Sequence, residues 1–222
     1  MKSRTAVLLG ATGLVGGHCL ELLLDDPAYT RVVALGRRRL PTEHPKLEQH
    51  VIDFERLPDF APLMKAEDLF CCLGTTIKKA GSQDAFYKID FTYTLESARL
   101  AAEQGAAQLL LVSALGAHAN SSIFYNRVKG EVEKAVSQLP FGGVQIFRPS
   151  LLLGARAEFR RGERLAQPLM KIFSFLLVGP LKKYRPVPAR VVAQAMLRVA
   201  KENPAGFNVY ESDRIAALGS VG

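Results

Sequence analysis

The chain has 222 residues, with 29 Lys and Arg against 21 Asp and Glu for a net charge of +8, and 48% hydrophobic against 23% charged residues. That balance excludes a disordered, collagen-like or low-complexity chain. The length is enough to bury a core without staples, and at roughly 150 residues per domain it predicts one large domain or two very small ones.

In chain order, Thr5 to Leu9 is a short apolar run of the buried-strand type. Leu14 to Leu24 follows with helical spacing (Leu14, Val15, Cys19, Leu22, Leu23) and stops at Asp25-Asp26-Pro27. Further strands are predicted at Arg31–Leu35, His50–Phe54, Asp68–Leu73, Gln108–Ser113, Val144–Phe147 and Phe207–Tyr210. Helices are predicted at Asp90–Gln104 (with Gly105 as its C-terminal stop), Ser122–Leu139, Leu165–Val178 and Ala189–Glu202. Strands that alternate with helices and are apolar throughout imply βαβ units and a parallel sheet covered on both faces. After Pro149, Arg and Gly crowd together. We read this as an appendage on the substrate side of a single domain, with 1–150 as core and 151–222 as substrate-side segments.

Three cysteines, two of them adjacent, cannot build a disulfide framework, and no Cys/His spacing fits a zinc site. No metal is expected, and a reducing cytoplasm is the expected compartment. No run reaches the roughly 18 apolar residues of a membrane span, and Ala6–Leu9 is too short for a signal-peptide core. The chain therefore reads as soluble and unprocessed. The basic residues fall in separate clusters without a DNA-binding motif, which argues against a nucleic-acid surface. Cys71, Cys72, His18 and His118 read as core or surface residues. The run Phe173 to Leu177 reads as a helix over the cleft; its flanking Lys171, Lys182 and Lys183 leave contact with a membrane surface as a second reading, without stable insertion.

Three motifs carry chemistry. Gly10-Ala11-Thr12-Gly13-Leu14-Val15-Gly16 follows a strand and opens a helix, the context in which glycines let the backbone approach a pyrophosphate at a helix N-terminus. About 20 residues on, where an NAD protein carries an acid, the second strand ends in Gly36-Arg37-Arg38-Arg39. A guanidinium there grips a 2′-phosphate, so NADPH is favoured over NADH. Tyr125 and Lys129 lie one turn apart on a predicted helix, and Ser113 ends the fifth strand. In that order they fit carbonyl reduction, with Tyr125 giving a proton, Ser113 bonding the oxygen, and Lys129 holding the ribose and tuning the phenol.

Together these motifs resemble the short-chain dehydrogenase/reductase superfamily in its atypical or extended branch. Cys72-Leu73-Gly74-Thr75-Thr76, Leu111 to Ala117, Val128 to Glu133 and Phe147-Arg148-Pro149 are similar to the Tat-interacting protein oxidoreductase family. The resemblance implies a Rossmann-type, doubly wound sheet. It implies Thr12, Gly13, Leu14 and Val15 at the pyrophosphate and Arg37 and Arg38 at the 2′-phosphate. Asp53 and Phe54 would lie at the adenine edge, and Leu73 and Gly74 beside the ribose. Tyr125 and Lys129 would be the catalytic pair, with Leu152 and Arg160 against the nicotinamide half. The chain departs from the wider superfamily at Asp90, where extended members often carry Asn. The expected function is NADPH-dependent oxidoreduction of a small carbonyl compound or its alcohol. Two alternatives stay open: an NADPH-sensing, protein-binding regulator, or an enzyme like the nucleotide-sugar epimerases.

Overall fold

The computed structural model describes residues 3–153 and 184–220. The predicted helix Leu165–Val178 lies outside the described residues. The chain forms β1 (Arg4–Leu9), α1 (Leu14–Asp25), β2 (Tyr29–Gly36), β3 (Leu47–Val51), a 3-10 segment (Phe54–Met64) and β4 (Asp68–Cys71). Two short helices, α2 (Ile77–Ala80) and α3 (Gln83–Tyr87), lead into a π-helical turn (Lys88–Tyr93) and α4 (Thr94–Glu103). Then come β5 (Gln108–Val112), α5 (Phe124–Val136), β6 (Gly143–Arg148) and β7 (Leu152–Leu153). The described C-terminal part holds β8 (Val187–Pro188), α6 (Ala189–Glu202), β9 (Gly206–Glu211) and α7 (Ser212–Gly219).

Seven parallel strands lie in the order β3-β2-β1-β4-β5-β6-β9, and β7 pairs with β8 apart from them. This is the Rossmann-type, doubly wound sheet that the sequence implies. β1 is central because it pairs with β2 on one side and β4 on the other, with Leu9 opposite both Leu35 and Cys71. The chain reverses its direction of travel across the sheet at β1 and β4, the switch point outside which such folds bind ligands.

Strands buried on both faces explain the unbroken apolar runs. In β1, Ala6 and Leu8 pack with α1 and α6 residues such as Leu23, Val192 and Met196. Val7 and Leu9 point the other way, to Ala98 and Ala101 of α4 and Val132 and Val136 of α5. Truncating one such buried leucine to alanine typically costs about 2–5 kcal/mol.

The opposite edge of the sheet is pinned by one carboxylate. Asp68, the first residue of β4, is fully buried. It accepts from Arg4 Nε at 2.8 Å and Nη2 at 2.5 Å, from the Tyr29 hydroxyl at 2.7 Å and from Gln108 Nε2 at 2.7 Å. Those partners are the first residues of β1, β2 and β5. The N-terminal ends of four strands thus converge on one satisfied anion, and their C-terminal ends open onto the loops that carry the motifs.

Three expectations are corrected here. The third strand is Leu47–Val51, not His50–Phe54, because β3 is a half-buried edge strand whose register runs from Val32–Leu47 to Gly36–Val51. Ile52 and Phe54 enter the core after the strand has ended, and Asp53 caps the 3-10 segment by accepting from the Glu55 amide at 3.0 Å. The helix predicted from Asp90 begins with the π-helical turn, and Gly105, at φ +85°, ends the helix as expected. The division at residue 150 does not follow the sheet: β9 extends it, and α6 packs on its face against α1.

Candidate active site

The glycine motif forms the turn between β1 and α1. The Gly13 amide donates to the Gly10 carbonyl at 2.8 Å, closing the turn. Gly10 sits at φ +79°, and a Cβ there would lie 2.4 Å from the Cys72 carbonyl oxygen. A Cβ at Gly16 would lie 2.2 Å from the Gly10 oxygen. Both positions demand glycine because backbone meets backbone. Gly13 is the N-cap of α1 and supplies no side-chain cap, so the first amides of the helix face outward beside exposed Thr12. Leu14 is half-buried and Val15 buried, anchoring this end to the core. The turn suits a pyrophosphate: it combines helix-terminal donors with exposed backbone at Thr12 and Gly13.

Arg37 and Arg38 are exposed immediately beyond β2. Arg37 lines a cleft of about 230 Å³ with Ile52, Asp53, Phe54, Lys88 and Tyr93. Phe54 packs on Tyr93 with ring centroids 5.3 Å apart and planes tilted by 38°, making an aromatic wall in the cleft that Arg37 also lines. Lys88 pairs with Glu55 at 2.6 Å on the same rim. The structure thus brings Arg37, Asp53 and Phe54 together. Lys88 and Tyr93 were not singled out from the sequence; they come from the π-helical turn, which has no local signature.

Tyr125 and Lys129 lie on α5. The Tyr125 ring packs against buried Phe86 at 5.4 Å, and the Lys129 side chain is only 6% exposed. Its ammonium lies 2.7 Å from Asp90 Oδ1. Burial pulls that ammonium down, but Asp90, then Tyr125 and Cys71, outweigh it, so Lys129 is held above the ordinary lysine value. Leu73 and Gly74 follow β4, and a Cβ on Gly74 would lie 3.5 Å from Asp90 Oδ1 and 3.6 Å from Lys129 Nζ. Gly10 touches the Cys72 carbonyl, so the glycine turn, the β4 turn and the Tyr–Lys face form one strip along the ligand edge of the sheet.

Ser113 is corrected. It is 6% exposed, and its hydroxyl donates to Glu133 Oε1. Glu133 in turn pairs with Arg148, whose Nε lies 3.0 and 3.1 Å from its two oxygens and whose Nη2 also reaches it. That contact raises the Arg148 guanidinium above its ordinary value, against the opposing effect of burial. The hydroxyl proton of Ser113 is thus directed to a carboxylate, not to the Tyr125 ring. Leu152 is half-buried in β7, opposite Val187. Arg160 lies outside the described residues. Asp90 is the residue whose part in the site the sequence left without content, since its partner is distant in the chain.

No family model matches the chain. Protein HTATIP2 of Rattus norvegicus is 40% identical over 224 residues, which cover 99% of this chain and 90% of that protein. The protein fmp52, mitochondrial, of Emericella nidulans is 33% identical over 223 residues, covering 94% of this chain and 96% of its own. The expectation of a cytoplasmic protein is overturned by this relative and by those of Candida glabrata and Saccharomyces cerevisiae, all three named as mitochondrial. Among solved structures, MoeE5 in complex with UDP-glucose and NAD superimposes with a TM-score of 0.69 over 97% of this chain and 80% of its own, at 15% identity. At that identity the likeness is one of fold.

Proposed function

We propose that this chain, which belongs to the family of Protein HTATIP2 and the FMP52 proteins, is an NADPH-dependent oxidoreductase of the short-chain type. It would reduce a small carbonyl compound or oxidise the corresponding alcohol. The observation that carries this reading is the buried Lys129, charged and one helical turn from Tyr125, on the same strip as the glycine turn. A regulator that only senses a dinucleotide needs the glycine turn but not a phenol beside a buried ammonium.

The residues fit a dinucleotide. The Gly10–Gly16 turn and the first amides of α1 would hold the pyrophosphate, and Phe54 and Tyr93 would flank the adenine. Arg37 and Arg38 would hold a 2′-phosphate, which supports NADPH over NADH. Bound there, a nicotinamide supplies the hydride. Tyr125 then gives its hydroxyl proton to the oxygen of the reduced carbonyl. Lys129 would donate to ribose hydroxyls and stabilise the charge left on the phenol. Ser113 holds the Glu133–Arg148 pair beneath this site rather than the substrate oxygen.

The test is Tyr125→Phe, which removes one oxygen and keeps the ring against Phe86. On any carbonyl that the wild type reduces, followed by NADPH oxidation, kcat should fall by about 10²–10⁴ while NADPH affinity stays put. Unimpaired turnover in this variant, or a wild type that binds NADPH but reduces nothing in a broad carbonyl panel, would overturn the reading in favour of a sensor.

A further inference from the structure

A buried ion pair is costly to assemble, and one that persists has a use or a history worth explaining. Asp90 and Lys129 form such a pair, with side-chain exposures of 0% and 6% at 2.7 Å. The fold spends a π-helical turn, Lys88–Tyr93, on placing Asp90 there. Such turns are rare and gather at functional sites. Asp90 has a second engagement: its Oδ2 accepts from the Thr75 amide at 3.0 Å. Thr75 directly follows Gly74, the residue whose Cβ would stand in van der Waals contact with both members of the pair. One carboxylate therefore joins the π-helical turn, the β4 turn and α5.

Among the described residues, Asp90 is the one anion paired with Lys129. Tyr125 faces it from the same helix, and the Cys71 thiol faces it from β4, pushed up to about 12 by burial and hence neutral. Glu133, one turn further along α5, is taken by Arg148. Arg127 lies 3.9 Å from Glu131 on the outer face of α5. On α4, Arg99 pairs with Glu96 and Glu103. The His118 ring, on the loop packed against Gly130, takes the Asn120 amide at 3.3 Å.

We propose, resting on the function inferred above, that Asp90 is a positioning residue for that chemistry: an internal counter-ion that keeps Lys129 charged and fixed beside Tyr125. It touches neither substrate nor the reacting atoms and acts only through Lys129. Without the carboxylate, an ammonium at this depth sheds its proton, since buried lysines titrate as low as about 5–6. A neutral amine then offers a lone pair where the ribose needs donors, and no charge to stabilise a phenolate. The Thr75 amide holds the carboxylate in register, so the ammonium and the ribose-side turn move together.

The test substitutes Asp90→Asn, which keeps the shape and an acceptor for Thr75 but removes the charge. The Lys129 Nζ signal of ¹⁵N-lysine protein, identified by its loss in Lys129→Met, is titrated without cofactor. In the wild type Lys129 should stay protonated beyond pH 9, and in Asp90→Asn its proton affinity should fall at least about a hundredfold. NADPH binding by Asp90→Asn should then weaken as pH rises between about 6 and 9, a dependence the wild type lacks. Arg37→Glu is the control and should weaken binding without adding that dependence. An unchanged Lys129 titration in Asp90→Asn would overturn the proposal, as would weaker binding with no pH dependence, which marks a purely structural role. If Asp90→Asn does not fold, Asp90→Asn with Lys129→Met removes both charges. Recovered folding without recovered turnover then supports the counter-ion, and no recovery of folding overturns it. A wild type that binds no NADPH would refute the functional reading alone, because the Lys129 titration decides the counter-ion role without cofactor.

Discussion

Ser113→Ala separates a hydroxyl that serves the substrate from one that serves the fold. The Ser113 proton goes to Glu133, and Glu133 also holds Arg148. A hydrogen bond to a charged group is worth about 1.5–3 kcal/mol. Arg148 remains on Glu133 after the substitution, so no carboxylate is left bare, and the low end, about 1.5 kcal/mol, is expected. For a chain of this size each kcal/mol lowers Tm by about 2–4 °C, giving a fall of roughly 3–6 °C. Loss of an oxyanion donor would instead cost about 10²–10³ in kcat with little change in Tm. Thermal unfolding and steady-state kinetics on one preparation therefore discriminate. The structure predicts a lower Tm and a kcat within a few-fold of wild type. A hundredfold loss of kcat at unchanged Tm would mean that the hydroxyl leaves Glu133 to meet the substrate, and would refute its role in the fold.

Three further outcomes are expected. Gly16→Ala places a Cβ against the Gly10 oxygen at 2.2 Å, so the turn must shift, and calorimetry should show NADPH binding lost or weakened by about fivefold or more, because overpacking typically costs about 1–3 kcal/mol. Arg37→Glu with Arg38→Glu should weaken NADPH at least about tenfold and leave NADH nearly unchanged; equal losses for both would refute the 2′-phosphate assignment. Asp26 accepts from Lys201 at 2.8 Å and from the Ala28 amide at 2.9 Å, and these contacts with Lys46 outweigh burial and hold its carboxyl below the ordinary value. The stability this lends is present above the unfolded value of about 4 and is lost as pH falls through the depressed folded value. Asp26→Asn should therefore cost about 0.5–1 kcal/mol in urea unfolding at neutral pH, discounted because Lys201 is half exposed, and the gap should close on acidification. A gap that persists in acid would show that the contact acts through shape rather than charge.

Much of the fold was legible because the local chemistry and the tertiary demand agree. Strands buried on both faces must be short and apolar, so Thr5–Leu9, Asp68–Leu73 and Gln108–Ser113 could be read directly, each within a residue or two of the strands Arg4–Leu9, Asp68–Cys71 and Gln108–Val112. The glycine turn was legible because Gly10 and Gly16 satisfy a backbone requirement that no other residue meets. Tyr125 and Lys129 could be paired because an i, i+4 spacing fixes a helical face. β3 was misread because an edge strand's register is set by its neighbour, and the apolar Ile52 and Phe54 beyond it belong to the core rather than to the ladder.

What the sequence by itself determined is therefore the parallel sheet, the dinucleotide-type turn at its switch point, and the helical face that carries Tyr125 and Lys129. Each follows from contacts between residues close in the chain or from a composition forced by burial. Only the tertiary structure decided the partners. Ser113 meets Glu133, Asp90 meets Lys129, and Arg4, Tyr29 and Gln108 converge on Asp68, each across a long stretch of chain. A buried polar group must find a partner, but which one it finds depends on the strand order and on a π-helical turn that no local pattern announces.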